Sequence, residues 1–240
     1  MVKKPLIIAH RGASAYAHEN TIDAFRVAIE MQADMIELDV HRTADGVLII
    51  YHDNKFKGKL LRNLAAEEVF GAADADGYAI PTLKETVQYL GGKIRLNIEL
   101  KESGYEDDVV ETAMEHFRPE NVIFSSSIDS AVRAVKKSFP VVATGLVLGT
   151  RPLRGLPRSL FPDERVHNTG VDFLAVDRRL LKYGFLRTAR RLHMPVYVWT
   201  ANNSNVIKML VADDRVAGIF TDRPDLGLFL REAHKKRSSQ

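Results

Sequence analysis

The chain alternates between two hydrophobic patterns. Short apolar runs recur at Leu6 to Ala9, Met35 to Val40, Ile94 to Leu100, Val122 to Ser126, Val141 to Leu148, Phe173 to Val176, Val196 to Thr200 and Gly218 to Thr221. Their length and their Val, Ile and Leu content predict buried strands. Between them, apolar positions spaced three and four apart predict helices at Ile22 to Met31, Leu83 to Leu90, Asp107 to Phe117, Asp129 to Ser138, Arg179 to Leu192 and Asn205 to Val211. Eight strands with intervening helices in 240 residues predict one α/β domain spanning 1–240, a closed (β/α)8 TIM-type barrel. An open doubly wound sheet is the other option. It normally has a Gly-rich phosphate loop after its first strand, and Gly12 alone does not make one.

Polar residues interrupt these runs at every second position. Glu37 and Asp39 alternate with Ile36, Leu38 and Val40, so both carboxylates share one face of a buried strand. Acids so placed need a cationic partner. Asn97, Glu99 and Lys101 alternate in the same way. The first run ends in His10-Arg11-Gly12, which suits an oxyanion or phosphate. Asp45-Gly46 is a two-residue hairpin signal, and Val47 to Tyr51 is its returning strand, an arm on the second barrel strand. A turn centred there pairs positions whose numbers sum to 91 and sets Asp39 opposite His52. Residues 53–80 or so, rich in Gly, Ala and Asp, read as a short insertion serving as a lid or side wall. Residues 233–240 or so, ending Lys235-Lys236-Arg237-Ser238-Ser239-Gln240, read as a frayed tail. Barrels of this class carry their sites at the carboxyl ends of the strands. His10, Asp39, Glu99, Trp199 and Asp222 fall at or near such ends.

Composition excludes several function classes. With 34 Lys and Arg against 31 Asp and Glu, the net charge of +3 is too small and too dispersed for a nucleic-acid partner. The absence of cysteine excludes disulfides and thiolate metal sites. No run reaches the ~20 apolar residues of a membrane span. Met1-Val2-Lys3-Lys4 before Pro5 to Ala9 resembles a signal peptide only superficially, because its apolar run is short and belongs to the strand carrying His10. A cytoplasmic location is expected. Arg151, Arg154 and Arg158 mark a basic loop, either solvated or in peripheral contact with anionic headgroups.

Taken together, the motifs resemble those of the glycerophosphodiester phosphodiesterase family. The matching pieces are HRG at His10 to Gly12, HENTIDAF at His18 to Phe25 and ADMIELDVHRTADGVLIIYHD at Ala33 to Asp53. IPTL at Ile80 to Leu83, LNIELK at Leu96 to Lys101, VWT at Val198 to Thr200 and TDRPD at Thr221 to Asp225 follow in the family's order. His18 stands where the family usually has Pro, Gln32 where it has Gly, and Ile128 where it often has Phe. Lys55 to Lys59 replace a longer polar piece, a difference bearing on substrate choice rather than chemistry.

The resemblance implies the barrel, hydrolysis of a small-molecule glycerophosphodiester to sn-glycerol 3-phosphate and an alcohol, and Glu37, Asp39 and Glu99 as ligands of one divalent cation. All-oxygen ligands suit Mg²⁺ or Ca²⁺ without choosing between them. His10 and His52 are the acid–base pair, their roles unassigned. The other histidines, His18, His41, His116, His167, His193 and His234, lack such company and read as structural or solvent-facing. Arg11 and Lys101 are candidate phosphate clamps, with pairing of Arg11 to Glu19 or Glu37 as the alternative. Glu19 and Asn20 read as supports behind the site, with Asn20 as N-cap of the next helix. Trp199 walls a glycerol or headgroup pocket or sits in the core. A lysophospholipase D-like action on lysophospholipids is the alternative activity, and it would need an apolar groove for the acyl chain.

Overall fold

The computed structural model describes residues 4–150 and 156–238. In chain order its strands are β1 (Leu6–His10), β2 (Met35–Arg42), β3 (Leu48–Ile50), β4 (Lys55–Phe56), β5 (Lys59–Leu60), β6 (Arg95–Leu100), β7 (Val122–Ser126), β8 (Ala143–Leu148), β9 (Phe173–Asp177), β10 (Val196–Trp199) and β11 (Val216–Thr221). Its α-helices are α1 (Ile22–Glu30), α2 (Ala66–Ala75), α3 (Leu83–Leu90), α4 (Glu106–Met114), α5 (Asp129–Ser138), α6 (Leu156–Leu160), α7 (Asp163–Thr169), α8 (Phe185–Arg191), α9 (Ser204–Val211) and α10 (Pro224–Ser238). Parallel strands run round the barrel in the order β1-β11-β10-β9-β8-β7-β6-β2, and β2 closes onto β1. The predicted barrel strands are all present, with boundaries moved by two residues at most.

The alternation of the strands explains the two cores. One side chain in two faces the helices, as with Leu38, Leu96, Leu100 and Phe124 against Phe25, Val87 and Val109. The other faces the barrel axis. Ile8, Met35, Ile123, Phe173 and Phe220 come from β1, β2, β7, β9 and β11, yet form one buried cluster, which is possible only through the interior. Gly145 on β8 leaves room for this layer, since a Cβ there would lie 2.1 Å from the Phe173 ring.

The hairpin differs from the two-residue expectation. Its pairs are Val40 with Ile50, His41 with Ile49 and Arg42 with Leu48, and Thr43 N–H donates to Val47 O at 3.0 Å. The loop is therefore three residues long, Ala44 to Gly46, and only Gly46 takes positive φ, at 87°. This is a type I turn followed by a left-handed Gly. Asp45 is drawn away from a two-residue turn by its own bonds: Thr43 Oγ1 donates to it at 2.6 Å, and the N–H of Ala66 at the start of α2 donates at 3.1 Å. The register shifts by one, so Asp39 faces Tyr51, whose N–H donates to Asp39 O at 3.0 Å, and not His52.

Three further expectations change. The segment Arg179 to Leu192 is not one helix: a 3₁₀ stretch, Arg178–Tyr183, ends at Gly184 with φ 76°, and α8 starts afresh. The expected frayed tail is helical, since α10 runs to Ser238 and its Lys235, Lys236 and Arg237 complement the negative helix end. The expected insertion packs against β3. Phe56, Leu61, Leu64, Val69 and Ile80 pack on Ile49 of β3 as a separate buried cluster. Met1 to Lys3, Ser239, Gln240, and Arg151 and Arg154 of the basic loop lie outside the described residues. Arg158 pairs with Asp129 at 2.6 Å.

Candidate active site

One step of two residues up each strand, the barrel interior turns from apolar to charged. His10 follows Ile8, Glu37 and Asp39 follow Met35, Asn97 and Glu99 lie on β6, and Ser125 follows Ile123. A cavity of about 90 Å³ is lined there by His10, Arg11, Glu37, His52, Asn97, Glu99, Lys101, Ser125 and Trp199, with Val147, Ala175 and Phe220. The three acids are neighbours by strand register, as β6 sets Glu99 beside Asp39 and β1 sets His10 beside Glu37. One carboxylate oxygen from each of Glu37, Asp39 and Glu99 lies within 4.8 Å of the other two.

These acids are not equally neutralised. Lys101 Nζ donates to Asp39 Oδ1 and Glu99 Oε1, both at 2.9 Å. Asn20 Nδ2 donates to Asp39 Oδ2 at 2.9 Å, and Arg11 Nε makes an ion-pair contact with the same oxygen at 3.3 Å. Burial works against the Asp39 charge, but Lys101 and Arg11 outweigh it and hold its carboxyl well below the usual range. Glu37 receives one backbone N–H, from Arg11 at 2.9 Å. Its burial, with Asp39 beside it, pushes its pKa up to about 8. The site is thus short of positive charge at Glu37.

The two imidazoles are tethered alike. His10 Nδ1 lies 2.7 Å from Asp222 Oδ1, and His52 Nδ1 lies 2.7 Å from Asp53 Oδ1. Each keeps Nε2 for the cavity. His52 reaches it although the register argument that set it opposite Asp39 fails, because β3 ends at Ile50 and the chain leaves the sheet there. Burial lowers the His52 pKa, and the Lys101 charge adds to this. Burial also opposes charge on His10, but the bond to Asp222 and the Glu37 charge prevail and raise its pKa.

The Glycerophosphoryl diester phosphodiesterase family matches residues 10–226. The chain belongs to this family. It is 30% identical over 260 residues to the glycerophosphodiester phosphodiesterase of Bacillus altitudinis, covering 95% of this chain and 99% of the relative. To that of Caldanaerobacter subterraneus subsp. tengcongensis it is 38% identical over 163 residues, 60% of this chain and 67% of the relative. Among solved structures, the Thermotoga maritima glycerophosphodiester phosphodiesterase superposes with TM-score 0.75 at 27% identity, covering 95% and 98% of the two chains. An Oleispira antarctica phosphodiesterase in complex with sn-glycerol-3-phosphate has the same fold, with TM-score 0.80, 22% identity and coverage of 95% and 97%.

The fold brings the expected residues together: His10, Arg11, Glu37, His52, Glu99, Lys101 and Trp199 line the cavity, Asp39 lies beside Glu37 and Glu99, Glu19 bonds Arg11 and Asn20 bonds Asp39. Their supports differ in part from expectation. Glu19 accepts twice from Arg11 Nη1, at 2.9 and 3.0 Å, so Arg11 is already held by an acid. Asn20 is not the N-cap of α1. Thr21 is, accepting from Ala24 N–H at 3.2 Å, while Asn20 bonds Asp39. Asp53, Asp222 and Asn202 carry roles that were not assigned from the sequence. Asp53 had a signal in its adjacency to His52, and Asp222 in its place at a strand end; Asn202, which donates to Asp222 Oδ2, had none. His18 stacks on Tyr78 at 3.8 Å, joining the loop after β1 to the insertion. Glu37, Asp39 and Glu99 could hold a divalent cation: the donors are hard oxygens, and such an ion would take the place of the proton that burial and Asp39 favour on Glu37.

Proposed function

We propose that the protein hydrolyses glycerophosphodiesters to sn-glycerol 3-phosphate and an alcohol, with one divalent cation, Mg²⁺ or Ca²⁺, and with His10 and His52 as acid and base. The reading rests on one observation: two imidazoles, each tied at Nδ1 to an aspartate, converge on one small cavity that Glu37 and Glu99 line, with Asp39 clustered beside them. When bound by Glu37, Asp39 and Glu99, the cation would polarise a phosphoryl oxygen. Arg11 and Lys101 bring positive charge to the anionic diester. His52, disfavoured as a cation by burial and by Lys101, takes the proton of the attacking oxygen. His10, kept protonated by Asp222, gives its proton to the leaving alkoxide. Trp199, whose indole N–H has no hydrogen-bond partner among the described residues, and Phe220 wall the glycerol. Binding of sn-glycerol-3-phosphate by the Oleispira antarctica phosphodiesterase supports this product.

A lysophospholipid would need room for an acyl chain, and a cavity of about 90 Å³ suits a phosphoglyceryl group better. Assays on glycerophosphocholine, glycerophosphoethanolamine and a lysophospholipid, each with Mg²⁺, Ca²⁺ or chelator, test the reading. Turnover of the diesters that stops on chelation supports it. Turnover of the lysolipid alone, or full activity in chelator, refutes it.

A further inference from the structure

His41 falls on the same face of β2 as Glu37 and Asp39 and is buried at 2% exposure. Both of its ring nitrogens are engaged. Nδ1 lies 2.5 Å from Glu102 Oε1, and Nε2 lies 3.2 Å from the main-chain oxygen of His52. A carbonyl oxygen only accepts, so Nε2 carries the hydrogen. Glu102 is itself fixed. The Tyr105 hydroxyl accepts from the N–H groups of Lys101 and Glu102, at 3.0 and 2.9 Å, and donates to Val40 O at 2.7 Å. A chain of bonds therefore runs from the segment just after β6, where Lys101 follows the strand that carries Glu99, through Glu102 and His41 to the backbone of His52.

Among the described residues that backbone has little else to hold it. The β2–β3 ladder stops at Ile50, and the Tyr51 N–H bond to Asp39 O is the last one before His52. On its other side the imidazole is tied to Asp53, whose side chain is 67% exposed. We propose that His41, braced by Glu102, is a positioning residue that fixes the main chain of His52 and so aims its imidazole at the substrate. The proposal rests on the reading of His52 as an acid–base residue. A displacement of about 1 Å in a reacting group is enough to lower turnover ~10²-fold, so a brace this close to the base acts mainly on kcat.

The test is steady-state kinetics on glycerophosphocholine with saturating cation, together with thermal melting and calorimetric cation titration. His41→Ala should lower kcat by ~10–100-fold, with KM and cation affinity changed by less than about threefold. His41→Gln retains an amide N–H for the His52 carbonyl and should recover much of the loss, with Glu102→Gln falling between. Against the residual activity of His52→Ala, adding His41→Ala should have no further effect, because a residue acting through His52 loses its lever once the imidazole is gone. If His41→Ala fails to fold, Glu102→Gln alone and combined with His52→Ala decides in the same way. A loss repeated in full in the His52→Ala background, or matched by a fall in cation affinity, overturns the proposal. Wild-type activity in His52→Ala overturns the proposal and the underlying reading together, and that single variant tells the two failures apart.

Discussion

The lower and upper halves of the barrel interior are built by the same strands, one two-residue step apart, and they follow opposite rules. Below, Ile8, Met35, Ile123 and Phe173 bury apolar surface and need no partners. Above, His10, Glu37, Asp39, Glu99 and Ser125 occupy equivalent inward positions, and nearly every polar atom there requires a designated partner. Dispersion and the hydrophobic effect are non-directional and tolerate approximate geometry. Buried charge does not. The lower half stabilises the fold, whereas the upper half draws on that stability to keep an acid such as Glu37 under-neutralised, which is the condition for binding a cation.

The sharpest consequence is that a substitution at Glu37 should move activity and stability in opposite directions. Glu37→Gln removes a charge that has no full partner. Activity on glycerophosphocholine should fall more than about 10³-fold, the scale of a metal's contribution to phosphoryl polarisation, and calorimetry should show no cation binding. The cation-free variant should melt above the cation-free wild type at pH 8. A lower melting temperature there would mean that Glu37 is neutralised without an ion.

The imidazoles come next. His10→Ala and His52→Ala should each lower kcat by ~10²–10⁴-fold, with a combined loss well short of the product. On a nitrophenyl phosphodiester, whose leaving group needs no proton, His10→Ala should recover most of its activity and His52→Ala should not. Rescue of His52→Ala instead would exchange the two roles.

In the lower half the effect should fall on stability alone. Phe173→Ala empties the centre of the interior layer and should destabilise the protein by ~3–5 kcal/mol. Substrate KM should change little at temperatures where the variant is folded. Denaturant titration measures the first quantity, and a large change in KM would show that the two halves are mechanically coupled.

The contrast between the halves was visible in the sequence because the strand period is two and the polar interruptions kept to it. Alternation alone sets Glu37 and Asp39 on one strand face, and Asn97 and Glu99 on one face of another strand. What escaped was decided by side-chain bonds between distant residues. Asp45 lengthens its turn by capping α2 through Ala66, and this slips the hairpin register by one. Thr21 caps α1, so Asn20 is available to bond Asp39 across 19 residues of sequence. Asp222 meets His10 only because the last strand closes on the first. His52 lies at the cavity because the chain leaves the sheet after Ile50, and not because it faces Asp39 across a hairpin.

The smallest expected effect concerns pH, and its sign separates the two ends of the site. The folded-state pKa of Glu37, about 8, lies above its ordinary 4.5, so its protonated form is favoured by folding. The stability it contributes is fully present below pH 4.5 and is lost as pH rises through about 8. Asp39 has the opposite sign. Its pKa is depressed below 3.8, so its contribution is present above that value and is lost as pH falls further. The cation-free protein should therefore be most stable near pH 4–5 and lose on the order of a few kcal/mol by pH 8. The stabilisation given by Mg²⁺ or Ca²⁺ should grow over the same interval, because the ion replaces the proton on Glu37. Chemical denaturation at pH 5, 6.5 and 8, with and without cation, reads both trends. Glu37→Gln should flatten the cation-free one. A cation-free stability that rises from pH 5 to 8 would show that the upper half is as well neutralised as the rest of the barrel, and the contrast between the halves would then be one of polarity without an electrostatic deficit.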